Sequence, residues 1–346
     1  MRKLLILCVI VLLIAVPVNA MDFTAPTLQG PAEKYFPENA ESFGDGLLYI
    51  IQTAFVMLYP SIIEASGVCL ILISASLLMG LLSEASGSVK WAVEIVGVVF
   101  AGVTLLRPLN TFIHLGAQTV DQISQYGNLL LPVLTGAMAA QGAVTKSGAL
   151  YVATAFFDTL LSNAMAQFLV PMVYYFLCVS ISCRLFSQSI LEDIRKFLKW
   201  LITWSLKIAL YLFTGYISIT GVVGGTTDAT LLKATKLTIS GMVPVVGGIM
   251  SDASEAVLTS AGMMKNAAGI YGMLAILAIW IGPFLQIGAQ YLLLKATAGI
   301  CNMFGSKRAA DLIQDFSTAM GLVLAMTGAG CLIFMISTIC FLKGVS

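Results

Sequence analysis

The fold of this chain is decided by residues 225–270, which read GTTDATLLKATKLTISGMVPVVGGIMSDASEAVLTSAGMMKNAAGI. Within them, the apolar run 241–250 is broken by Pro244 and by the pair Gly247 and Gly248. A transmembrane helix needs about 20 residues, so this run is too short to cross a bilayer. Irregular backbone survives at membrane depth only where protein or a water-filled cavity satisfies it. The run therefore predicts a re-entrant segment that borders a path, with these three residues as hinges.

Polar residues follow the broken run at helical spacing. Asp252, Glu255, Thr259 and Asn266 fall along one helix face. One interpretation is a stripe that faces a water-filled lumen or a partner subunit, as ionisable groups in membranes usually do. The other is local, because Asp252 and Glu255 have the spacing of a capping box at a helix start. Capping does not exclude lining, so all four residues are candidates for path-lining or partner-facing positions.

The composition is that of an all-α, polytopic helical membrane protein. Hydrophobic residues make up 59% of the chain and charged residues 10%, with a mean hydropathy of +0.95. Ordinary soluble domains have about 25% charged residues. The net charge of +1 gives no field that would favour nucleic acid. We predict about seven transmembrane crossings, with additional re-entrant and interfacial helices.

The N-terminus has the pattern of a secretory signal peptide. Residues 1–20 carry two basic residues, an apolar run and a small-residue cleavage site. An uncleaved signal anchor is the alternative. Under either interpretation, the mature N-terminus is predicted to lie outside the cytoplasm, followed by a short exported tail (21–46) and a helical membrane domain (47–346).

Residues 188–200 form the clearest amphipathic segment, which predicts an interfacial helix. Its charged face includes Arg195, Lys196 and Lys199. A second basic pair stands at residues 307–308. The positive-inside bias places both clusters in the cytoplasm, so an even number of crossings must separate them.

Several apolar segments do not fix the number of crossings. Residues 149–185 and 267–300 are each long enough for two crossings or one bent element. Residues 47–59 are short and end at Pro60, which favours an interfacial helix or a half-span over a full crossing. Asp158 lies inside an apolar segment, where an unpaired carboxylate costs about 2.5–3.5 kcal/mol, so we expect it to face protein or water.

A faint internal duplication runs through the chain. The similar segments are 131–138 with 243–250, and 187–197 with 306–316. The two repeats would be residues 107–225 and 226–346, and Pro132 and Gly136 would be hinges equivalent to those of the opening stretch. Paired Pro/Gly-interrupted segments in two halves point to a site between repeats in many transport folds. Biased composition produces such similarities too, so duplication and chance both remain open.

No pattern of catalytic or metal-ligating residues stands out. The seven cysteines have no ligand spacing, and His114, the single histidine, lies among residues that complete neither a metal set nor a catalytic dyad. The glycine pairs lack the lysine that a phosphate-binding loop requires. We therefore predict that the protein is not an enzyme and holds no cofactor or metal.

The opening stretch also resembles a known family. The matching residues are Lys236, Gly241, Pro244, Val245, Val246, Gly247, Asp252, Ala253, Val257, Lys265, Asn266 and Gly269. This block is similar to the signature block of stage III sporulation protein AE, a polytopic membrane protein of endospore-forming bacteria. The order of apolar segments agrees with that family from about Leu47 to the C-terminus.

The resemblance implies a membrane subunit of the transenvelope channel or export complex that connects mother cell and forespore. It further implies residence in the mother-cell membrane facing the forespore. The implied partners are other stage III sporulation proteins, including ring-forming proteins and a secretion-type ATPase, in a homo-oligomer or hetero-complex without nucleic acid. A self-contained secondary transporter and a non-conducting platform for ring assembly are the alternatives.

Overall fold

The computed structural model describes residues 26, 28, 30–37, 43–85, 90–186, 188–242 and 247–343, and no side chain at 30–31, 84–85, 220–261, 264 or 304. The described part contains a short 3-10 helix, Gly30–Tyr35, and seven α-helices. The α-helices are α1 (Phe43–Ala85), α2 (Lys90–Ala140), α3 (Val144–Ala164), α4 (Val170–Phe186), α5 (Ser189–Met242), α6 (Gly247–Phe304) and α7 (Lys307–Lys343). A π-helical turn, Met165–Leu169, joins α3 to α4.

The architecture confirms an all-α polytopic membrane protein. Six helical stretches of the described residues are long and apolar enough to cross a membrane: Phe43–Ser83, Lys90–Ala140, Val144–Phe186, Ser189–Ile219, Lys265–Met303 and Lys307–Lys343. Large apolar side chains point outward on several of them, such as Val56, Val152 and Tyr211, which are 74%, 60% and 72% exposed. Exposed apolar surface on this scale is typical of a lipid-facing protein.

Two predicted breaks are absent from the structure. The interfacial helix or half-span that was predicted to end at Pro60 continues through this proline as part of α1. The predicted interfacial helix 188–200 continues without interruption into the following apolar span as α5. Hydropathy reports the preference of side chains for lipid, whereas backbone hydrogen bonding decides whether a helix continues, and neighbouring helices allow membrane helices to tolerate proline.

Helix α7 is the centre of the bundle. It packs against α2 and α6 and also contacts α3, α4 and α5. Its largest fully buried side chains are Phe316, Phe334 and Phe341. Helix α1 contacts α2, α6 and the 3-10 helix, and much of its apolar surface stays exposed. The core therefore lies along α7, with α1 at the periphery.

The N-terminal 3-10 helix is held against α6 by Tyr35. This side chain belongs to a small apolar cluster with Ile50, Ala54, Leu274 and Ala278. Burial raises the pKa of the Tyr35 hydroxyl above its ordinary value. The cluster fixes the segment before α1 to the membrane bundle.

Candidate functional site

The predicted path-lining stripe falls on the first third of α6. Helix α5 ends at Met242 and α6 begins at Gly247, so Pro244 lies outside the described residues. The side chains of Asp252, Glu255 and Thr259 also lie outside the part that the structure describes. At the end of the stripe, Asn266 is exposed. The path-lining role of this stripe stays a prediction.

Of the other predicted hinges, two lie inside a continuous helix and two stand at the start of one. Pro132 and Gly136 belong to α2, which runs unbroken to Ala140, and Gly247 and Gly248 begin α6. The structure therefore shows no interruption of the helix at Pro132 or Gly136.

A cluster of two arginines and two aspartates joins the ends of three helices. Arg184 of α4 donates to Oδ2 of Asp315 from Nε at 3.2 Å and from a terminal nitrogen at 3.0 Å. It also lies 3.3 Å from Asp311, and Arg195 of α5 donates to the other oxygen of Asp315. The Asp315 side chain is 3% exposed. This aspartate–arginine cluster holds the two predicted basic clusters at one end of the bundle.

The remaining predicted interfacial residues stay on the surface of α5. Lys196 lies 3.2 Å from Glu192, its side chain is 63% exposed, and Lys199 is exposed. Ile190 and Phe197 are 69% and 55% exposed. The N-terminal part of α5 thus presents apolar side chains outward and directs one of its three predicted basic residues, Arg195, into the bundle.

One face of α2 is polar over a long distance. Between residues 107 and 128, every exposed residue is polar: Arg107, Asn110, Thr111, His114, Gln118, Asp121, Gln122, Gln125 and Asn128. The exposed residues that flank this polar strip, Leu106 and Leu129, are apolar. At about 1.5 Å per residue the strip is roughly 30 Å long, which matches the hydrocarbon core of a bilayer. A face of this kind must meet water or another polypeptide.

A cleft of about 750 Å³ opens along the first half of this strip. Three helices form it, since α1 and α6 lie beside α2 there. Its polar lining consists of Ser61, Glu64, Arg107, Asn110, Thr111, His114, Gln118, Gln286 and Gln290. Its volume is in the range of small-molecule sites, about 300–1,000 Å³, although its lining is more polar than usual for such sites.

Some polar groups of the cleft have no partner among the residues that the structure describes. Glu64 and Arg107 take part in no ion pair among the described residues. Gln290 is 1% exposed, and its buried Oε1 accepts no hydrogen bond within the described structure. Buried polar atoms normally have a partner. The arrangement offers hydrogen-bonding and charged groups that a polar solute could contact.

The sequence analysis did not predict this cleft, although the polar residues that α2 contributes to it form a recognisable pattern in the sequence. Arg107, Asn110, Thr111, His114 and Gln118 have the spacing of one helix face. That periodicity predicts an amphipathic segment with a polar face, but it does not predict a cleft. The contributions of α1 and α6 could not be paired with it, because they lie far away in the sequence.

Comparison with known proteins identifies the family. A family model described as stage III sporulation protein AE matches residues 47–344. The chain belongs to the stage III sporulation protein AE family. The polar strip, the cleft and the aspartate–arginine cluster all lie inside the matched region. This confirms the family that the signature block predicted and shows a link to sporulation.

One curated member of the stage III sporulation protein AE family gives a measure of the similarity. Stage III sporulation protein AE of Bacillus subtilis (strain 168) is 21% identical over 238 residues, which cover 68% of this chain. The aligned region spans 60% of the length of that relative. The comparison with solved structures gives no match.

The buried carboxyl group of α3 in this family member also has a defined environment. Asp158 is 3% exposed and accepts a hydrogen bond of 2.6 Å from the Ser124 hydroxyl of α2. This confirms the expectation that Asp158 faces protein or water. The bond joins two helices in the interior of the bundle, where hydrogen bonds between membrane helices contribute about 0.6–1.7 kcal/mol.

We expect the Ser124→Ala substitution to lower the free energy of unfolding by about 1 kcal/mol, because Asp158 loses its donor without gaining access to water. Unfolding of the purified protein in detergent, followed by circular dichroism, measures the change. Ser66→Ala is the matched control, since that hydroxyl is exposed and bonds to the carbonyl of Ile63 in its own helix at 2.8 Å. Equal stability of both variants would contradict the prediction.

Proposed function

We propose that this chain is the membrane subunit of a sporulation-specific channel or export complex that links mother cell and forespore. The polar strip of α2 carries the proposal. Lipid would disfavour nine exposed polar side chains on one helix face, Arg107 and Asp121 among them, over roughly 30 Å. A water-filled path between subunits accommodates such a face, as does a hydrophilic partner.

The position of the protein and its partners follow from family membership as further parts of this proposal. The protein resides in the mother-cell membrane facing the forespore, with its mature N-terminus outside the cytoplasm. It assembles with other stage III sporulation proteins, including ring-forming proteins and a secretion-type ATPase, or with further copies of itself. The strip supports such assembly because its exposed side chains lie on the outer surface of the single chain.

A self-contained secondary transporter is the second candidate function. The observation that favours it is that one chain alone supplies all three walls of the cleft. Reconstitution of the purified chain in liposomes separates the two candidates. A transporter moves a defined solute without partners, whereas a channel subunit conducts only in its assembly.

We expect cysteines placed on the polar strip to react with a membrane-impermeant maleimide in sporulating cells. Thr111→Cys, Gln118→Cys and Gln125→Cys are the test variants, each in a chain whose native cysteines are replaced. Val152→Cys is the matched control, because Val152 is 60% exposed but apolar, and lipid should cover it. Labelling is measured by mass shift on gels.

The number of heat-resistant spores after labelling shows whether the strip lines the path or is only exposed to water outside it. If the strip lines the path, a bulky maleimide at position 118 should reduce the number of heat-resistant spores, and the same label on a Lys196→Cys variant should not. Strip cysteines as silent as the one at position 152 would overturn the proposal. Full labelling without any loss of spores would show that the strip lies outside the path.

A further inference from the structure

The cleft between α1, α2 and α6 is lined by one carboxylate and one guanidinium, and also by the imidazole of His114. Glu64 comes from α1 and Arg107 from α2, and both line the same cavity of about 750 Å³. Neither forms a salt bridge with any described residue. Charged side chains within membrane helices usually pair with each other or serve a pathway. Two opposite charges that share a cavity without pairing leave both available to a ligand.

The deep wall of the cleft supplies a hydrogen-bond acceptor without a donor. Gln290 of α6 is 1% exposed, lines the cavity, and has a buried Oε1 with no partner among the described residues. A buried acceptor without a partner is unfavourable, and a donor from a ligand or a water molecule removes that cost. Gln286, one turn earlier, extends this amide surface.

Further polar side chains of α2 line the cleft: Asn110, Thr111, His114 and Gln118. Each can form hydrogen bonds with a solute, although the Oδ1 of Asn110 already accepts one of 2.6 Å from the Tyr174 hydroxyl. Such a lining suits an organic solute with several polar atoms better than a bare metal ion, which needs a compact set of oxygen ligands. It also suits a charged polar solute better than an apolar one.

We propose that this cleft binds a small zwitterion, namely a free amino acid or a short peptide. Arg107 pairs with the carboxylate of the solute, and Glu64 pairs with its ammonium group. Gln290 accepts a hydrogen bond from an N–H of the solute. An arginine can hold a carboxylate through two parallel hydrogen bonds, which gives this end of the cleft its directional selectivity.

The inference deepens the proposed function by naming the class of solute that the membrane subunit admits. The inference rests on the proposed function only in so far as the bound solute then passes through the channel or export complex. Binding to the isolated chain needs no partner protein, so the cleft can be tested apart from the complex. A failure of binding would leave the accessibility of the polar strip unaffected.

The test is binding to the purified full chain in detergent. Thermal unfolding is recorded with each of the twenty amino acids and with dialanine, and compounds that raise Tm are followed by isothermal titration calorimetry. We expect at least one of them to bind, and we expect Glu64→Gln and Arg107→Gln each to weaken its binding by about tenfold or more. Asp193→Asn and Lys196→Gln are the charge-matched controls, because both side chains are exposed on α5, away from the cleft.

Single-charge analogues complete the experiment. Acetate and methylammonium should bind much more weakly than the zwitterion, since each meets only one of the two charges. If either analogue matches the zwitterion, the proposed ligand class is wrong. If no compound shifts Tm, or if the Glu64 and Arg107 variants bind as the wild type does, the cleft holds only water and the inference is overturned.

Discussion

Replacing Asp315 by asparagine is expected to lower the free energy of unfolding by about 3 kcal/mol. This carboxylate is almost fully buried and receives hydrogen bonds from both Arg184 and Arg195. Removing one partner of a buried ion pair costs about 3–5 kcal/mol, because a charge remains without compensation. The lower end of that range applies because the two arginine side chains are 18% and 17% exposed and keep some contact with water.

Asparagine keeps the size of the side chain, so the change isolates the effect of charge. Thermal and denaturant unfolding of the purified protein in detergent measure the loss. The control is Asp193→Asn on α5, where the carboxylate is 81% exposed and lies 4.0 Å from Lys196. Exposed pairs of that kind contribute about 0–1 kcal/mol. If both variants unfold at the same temperature, Asp315 does not hold the three helices together.

The side of the membrane shared by the basic clusters could be predicted from the sequence. The positive-inside bias requires residues 195–199 and 307–308 to lie on the same side, and the structure places their helix ends in contact through Asp315. The structure agrees with a shared side, since Arg195 and the first turns of α7 meet at one end of the bundle, and the cytoplasmic placement of that end stays a prediction. The shared side could be predicted because charge bias acts on each loop separately. It needs no knowledge of how the helices pack.

The number and length of the helices could not be predicted in the same way. Helix α6 contains 58 residues and is roughly 87 Å long at the usual rise, nearly three times the thickness of a hydrocarbon core. A hydropathy profile divides such a helix into several short segments. Residues 267–300, predicted as two crossings or one kinked element, form a single stretch of this helix.

The cleft marks the limit of sequence reasoning about the site. The polar periodicity of α2 is a local property, but Glu64 and Gln290 join it only through tertiary packing. Pro244 and the acids after it were predicted to border a path because irregular backbone in a membrane must be satisfied by protein or by water. That rule finds irregular backbone, whereas this cleft is built from the side chains of regular helices.

The Gly127→Ala substitution is expected to be among the most destabilising single changes in the bundle. Gly127 of α2 is buried against α7, and a Cβ atom at this position would overlap the ring of Phe334. That ring is 1% exposed and belongs to the main core cluster. Small residues allow membrane helices to approach closely. Adding a methyl group to a filled core costs about 1–3 kcal/mol, and we expect the upper part of that range.

Two further variants decide whether the contact with Phe334 is the cause. Gly328→Ala on α7 is the matched control: a Cβ there meets no atom within 4 Å, and alanine favours a helix over glycine by about 1 kcal/mol, so stability should stay equal or rise. Phe334→Leu should restore part of the stability of Gly127→Ala, because a smaller side chain leaves room for the new methyl group. Unfolding curves of the two single variants and the double variant measure this coupling. If the losses are simply additive, the close approach of α2 and α7 at Gly127 does not depend on the Phe334 ring.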